Sequence, residues 1–134
     1  MMLDEPSHLF VYGTLMRRSR SPYAKLLRTR AKFAGVAFAW GRLYHLGRFP
    51  GAVFDENCPT KVFGEVFHLN GLALLDALDA YEGCRLNDPK PQLFRRALTE
   101  VQFAHGGRLT AWTYPFAGSV SGRLLITSGR FQPS

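Results

Sequence analysis

The chain has 134 residues, enough for one domain over residues 1–134 with a sizeable core. Its 46% hydrophobic and 13% aromatic content excludes intrinsic disorder, and no apolar run approaches the length of a membrane span. The net charge of +7 favours acidic partners. The basic clusters at residues 17–20, 25–32 and 95–96 match no nucleic-acid motif, however, and read as a solvated basic face, so nucleic acid is not an expected partner.

Residues 8–12 form a short apolar strand that stops at Gly13. Ser21 followed by Pro22 is a helix start, with a side-chain cap and a proline at the first helical position. Tyr23, Leu26 and Leu27 supply the apolar face of that helix. Residues 32–46 read as a long strand punctuated by Gly35, Gly41 and Gly47, as bulges or sharp bends require. A turn at residues 49–51 leads into a short strand at 52–54, and residues 62–69 form the next strand. Asn70 is placed to cap a helix over residues 71–81. Residues 93–103 and 109–116 read as a hairpin around His105, Gly106 and Gly107, and residues 124–127 as a last strand closing the sheet. Several strands with two helices indicate an α+β fold with a strongly curved sheet, open or closed as a barrel.

Glu82 is the most informative residue. It sits in the last turn of the second helix. At roughly 100° per residue it falls between Leu75 and Leu78 on the apolar stripe, with Asp76 and Asp79 read toward another side. Burial and the negative end of the helix dipole both disfavour its charged form. A carboxylate raised in this way suits a general base working near neutral pH. The second candidate is the loop Tyr12, Gly13, Thr14 and Leu15. After a glycine, successive amides can form an anion-binding nest; Thr14 adds a hydroxyl and Tyr12 an aromatic wall with a polar tip.

Cys58 and Cys84 make neither a disulfide framework nor a metal motif and read as reduced thiols. The four histidines lack metal-ligand spacing, so no metal site is expected. Glu65 reads as an ion-pair partner for Arg95 or Arg96 and Arg42 as a solvated strand residue, while Trp112 and Tyr114 share a strand face as core or pocket wall.

Seven short segments, in order, carry a resemblance to a known family. They are Tyr-Gly-Thr-Leu at residues 12–15, the stretch 41–53, Val-Phe-Gly-Glu-Val at 62–66, Leu-Asp-Ala-Tyr-Glu-Gly at 78–83, Phe-Arg-Arg at 94–96, Ala-Trp-Thr-Tyr at 111–114 and Ile-Thr-Ser-Gly at 126–129. Together they resemble the γ-glutamylcyclotransferase-like (AIG2-like) proteins over residues 8–131. The resemblance implies a small mixed β-barrel with flanking helices and an enzyme without a cofactor, and a cytoplasmic protein is the default expectation for a sequence with no apolar leader-like segment or membrane-length run. It also implies a small-molecule γ-glutamyl substrate, cyclised to 5-oxoproline with release of its amine. Glu82 matches the family's catalytic glutamate, and Tyr12, Gly13, Thr14 and Leu15 match its substrate loop. Phe94 and Phe49 stand where family members often have Tyr, and Arg130 where many have an acidic residue. The alternatives are a non-catalytic relative that binds an acidic metabolite and a basic RNA-binding protein. The leaving amine and the oligomeric state stay open at this point.

Overall fold

The structure is a computed structural model that describes residues 7–71, 73–82 and 93–132, with the side chain of Glu82 outside the description. The elements run β1 (His8–Val11), α1 (Pro22–Arg30), β2 (Ala31–His45), β3 (Pro50–Phe54), β4 (Lys61–Leu69), α2 (Ala73–Glu82), β5 (Ala97–Phe103) and β6 (Arg108–Thr113).

Strand β2 organises the sheet because its length lets it serve three partners. Its first ten residues pair antiparallel with β4, Ala37 and Phe38 also meet β5, and residues 41–45 pair with β3. From β4 the ring continues through β1 and β6 to β5 and back to β2, which closes a five-stranded mixed barrel with β3 as an extra strand. The β1–β6 pair is parallel and the others are antiparallel. The glycines mark the bends as expected. A register shift lies between Phe33 and Gly35, and Gly41 is where β2 exchanges β4 for β3.

Two apolar layers result. Inside the barrel, Phe10 packs with small or branched residues such as Ala37, Ala39, Val62, Val66 and Val101, as the narrow interior of so few strands requires. On the outer wall, Leu9, Val11 and Phe67 meet Leu27 of α1 and Leu75 and Leu78 of α2. Strand β1 is therefore buried on both faces, which accounts for its continuous apolar run.

The first helix starts as read, since the Ser21 hydroxyl accepts the Tyr23 amide at 3.2 Å. The second helix does not begin at Gly71, whose φ of +88° is left-handed; it begins at Ala73. Residues 124–127 do not form a full strand. They touch the end of β2 through a Tyr44–Leu125 bridge, with the His45 amide donating to the Leu124 carbonyl and the Ile126 amide to that of Leu43. Residue 94 likewise lies outside β5, in an isolated bridge to Phe116. No helix among the described residues is long and apolar enough to cross a membrane.

His8 and His68 face each other across β1 and β4 with ring centroids 4.9 Å apart. Partial burial, and then the neighbouring His68, hold the His8 imidazole below its ordinary value of 6.5. The unfolded chain therefore takes up this proton before the folded one does. The associated stability is complete above pH 6.5 and is lost as pH falls through the lower, folded value. The urea midpoint is expected to fall between about pH 7.5 and about pH 5.5, and His8→Gln should flatten that slope.

Candidate active site

The loop after β1 and the last turn of α2 meet directly. The Thr14 and Tyr81 hydroxyls are hydrogen-bonded at 2.7 Å, and Tyr23 of α1 packs against Tyr81 in a tilted ring pair with centroids 4.5 Å apart. Leu15, 3% exposed, enters the same apolar layer as Leu75 and Leu78. Glu82 follows Tyr81 and closes α2. The placement of its side chain, its protonation and all of Cys84 lie outside the described residues.

The loop is held by contacts from several sides. The Met16 amide donates to the Gly13 carbonyl at 3.0 Å, forming a tight turn over Thr14 and Leu15. Glu65 accepts the Arg17 amide at 2.7 Å and its side-chain Nε at 3.1 Å. Arg28 donates to the carbonyls of Arg17 at 2.9 Å and Ser19 at 3.1 Å. A Cβ at position 13 would lie 2.8 Å from Pro50 Cγ, so only glycine lets the β3 proline press against the loop. Among the described residues, the amides of Gly13, Thr14 and Leu15 meet no acceptor, which leaves three donors in sequence.

Tyr12 has a different part from the one read in the sequence. Its ring packs with Phe10 and Phe54 inside the barrel, and its hydroxyl donates to the Tyr114 carbonyl at 2.6 Å and accepts the Ala52 amide at 3.2 Å. The side chain therefore belongs to the frame that fixes the loop. Strand alternation explains this, because Phe10 and residue 12 point the same way.

Tyr114 continues the frame. Its hydroxyl donates to Asp79 Oδ1 at 2.6 Å, and Arg96 Nε lies 3.0 Å from the same oxygen with its guanidinium 4.6 Å above the Trp112 ring. Asp79 is not turned away from the core as the sequence reading had it. It lies roughly 40° from Leu75 around the helix, on the inner side, and its side chain is 15% exposed. One turn before Glu82, α2 is thus tied to the barrel by two donors. Tyr114→Phe is expected to cost about 1–2 kcal/mol in chemical denaturation, because a partly buried carboxylate loses a charge-assisted bond.

Three other sequence readings resolve here. The partner of Glu65 is Arg17, not Arg95 or Arg96. Phe94 is 6% exposed, with its ring against Phe49 at 5.8 Å and Phe116 at 5.9 Å. Cys58 is buried and unpaired, and hydrogen bonding with the Thr60 side chain, then its backbone, holds the thiol below the usual range. Among the described residues no three metal-ligating side chains converge.

The arrangement can therefore present three backbone donors beside the end of a helix. The model of the γ-glutamyl cyclotransferase, AIG2-like family matches residues 9–133. The chain belongs to this family. Solved members and relatives share the fold. The chain is 32% identical to protein ytfP of Escherichia coli, covering 92% of this chain and 94% of that one, with a TM-score of 0.63. It is 25% identical to an AIG2-like protein of Mus musculus, covering 83% and 77%, with a TM-score of 0.66. YkqA of Bacillus subtilis is 23% identical over 95% of this chain with a TM-score of 0.68, and the chain spans only 40% of that longer protein. No curated protein matches.

The family assignment makes the Thr14–Tyr81 contact its most relevant geometry. Tyr81, Asp79 and Tyr114 were not singled out as site residues in the sequence. The available signal was helical: Asp79 lies roughly 40° from Leu75 around α2, on its apolar side.

Proposed function

We propose that this protein is a γ-glutamylcyclotransferase that converts a γ-glutamyl amide or amine into 5-oxoproline and the free amine. The observation that carries the reading is the 2.7 Å bond between Thr14 and Tyr81, which joins the family's loop to the residue preceding Glu82. Family membership over residues 9–133 supports the same reading.

In this scheme the substrate's α-carboxylate lies on the Gly13–Leu15 amides, which suit an anion because they have no acceptor among the described residues. The α-amino nitrogen attacks the γ-carbonyl carbon, forming the ring C–N bond. The Glu82 carboxylate takes the amine's proton as that bond forms. The tetrahedral oxyanion then collapses, the original C–N bond breaks, and Glu82 returns the proton to the leaving nitrogen. Glu82 ends as a carboxylate and no group on the protein is consumed. Because nucleophile and electrophile belong to one molecule, much of the acceleration comes from holding the extended γ-glutamyl chain in its folded, attacking shape.

The test is release of 5-oxoproline from a panel of γ-glutamyl amino acids and γ-glutamyl amines. Release by the wild type identifies the leaving-group class. Failure with every member, while the same compounds bind, would replace the enzyme by a binding protein for γ-glutamyl metabolites.

A further inference from the structure

A concavity lies beside the segment that follows the Gly13–Leu15 loop. It encloses about 360 Å³ between Met16–Arg18 on one side and the segment 130–132 on the other. Its floor is the outer face of β2 and β4, with Val36, Phe38 and Phe63. Val36 is 46% exposed although it stands in the middle of a paired strand.

The charges around this floor are unequal. Among the described residues Glu65 is the one carboxylate in the lining, and Arg17 already neutralises it through two hydrogen bonds. Arg18 and Arg130 have no carboxylate partner among the described residues. Arg130 is oriented by its own contact, with the guanidinium 3.8 Å above the Phe63 ring. A guanidinium held over a ring has lost part of its hydration and keeps its N–H edge free for a planar oxyanion. The tail that carries it is also fixed. The Phe63 amide donates to the Gly129 carbonyl at 2.8 Å, and a Cβ at position 129 would collide with the Lys61 carbonyl.

We infer that this groove is a binding site for a small organic oxyanion, a phosphate or carboxylate carried on an apolar body. The head group would be gripped by Arg18 and Arg130 while the body covers Val36, Phe38 and Phe63. The inference stands apart from the cyclotransferase reading, since it uses neither Glu82 nor the Gly13–Leu15 amides.

The test is titration of the full chain, followed by amide NMR, with four probes: phenyl phosphate, benzoate, benzyl alcohol and inorganic phosphate. Saturable shifts at Val36 and Ala104 are expected with phenyl phosphate or benzoate, and whichever binds more tightly names the head group. Benzyl alcohol and inorganic phosphate should each bind at least about tenfold more weakly, because each lacks one half of the ligand. Arg18→Gln and Arg130→Gln should each weaken the organic anion about tenfold. Both lie at exposed positions, so loss of fold is not expected. Equal binding of benzyl alcohol, shifts confined to residues 13–15, affinity unchanged in both variants, or no saturation with either organic anion would each overturn the site.

Discussion

Glu82→Gln is expected to lower 5-oxoproline release by about 10²–10⁴-fold, the range assigned to a positioned acid–base group, without changing the unfolding free energy by more than about 0.5 kcal/mol. Glutamine keeps the size of the side chain and removes only its ability to take up and return a proton. If Glu82 moves the proton, kcat falls in the variant and its pH profile lacks the limb that reports the base in the wild type. Retained turnover in a folded Glu82→Gln protein would remove Glu82 from the chemistry. Thr14→Val gives a milder companion result. It breaks the bond to Tyr81, leaves the backbone amides in place, and should reduce turnover less than Glu82→Gln.

Gly64→Ala should be strongly damaging, costing about 3 kcal/mol in urea denaturation. A Cβ at this position would lie 2.2 Å from the Val11 carbonyl oxygen and 2.9 Å from the Phe10 ring. The nearer contact is backbone, so no rotamer change relieves it, and β1 must move away from β4. Strand β1 leads straight into the Gly13–Leu15 loop, so activity should fall along with stability. A drop in stability with turnover unchanged would mean that the loop is held from the Arg17, Glu65 and Arg28 side rather than by β1.

Where one local signal decides the structure, the sequence was easily read. The Ser21–Pro22 helix start, the glycine-marked bends of β2 and the hairpin at 105–107 all depend on neighbours within a few residues. The closed barrel agrees with the curved sheet that those strands suggested. What was misread depends on distant partners. The Tyr12 hydroxyl is claimed by Tyr114 and Ala52, 102 and 40 residues away. Glu65 is paired with Arg17 because β4 lies beside β1, whereas Arg95 and Arg96, the partners suggested by sequence, lie elsewhere on the barrel. Asp79 lies on the inner side of α2, where Tyr114 and Arg96, both distant in sequence, make an inward carboxylate tolerable. For the site itself, the loop was legible as a motif, but the bond that presses it against α2 was not.

Closure of the ring also bears on how the chain is made. Strand β1 finds its parallel partner only in β6, and β2 finds β5 only after residue 97. A nascent chain that has released β1 through β4 but not the last two strands carries two unfinished edges and an uncovered barrel interior. Such pairings between remote segments fold slowly, because the intervening chain must be ordered before the contacts compensate. During synthesis, then, the vulnerable period is set by translation of the stretch between α2 and β6. Slow codons or a stalled ribosome there should favour aggregation far more than a pause after β6 has emerged.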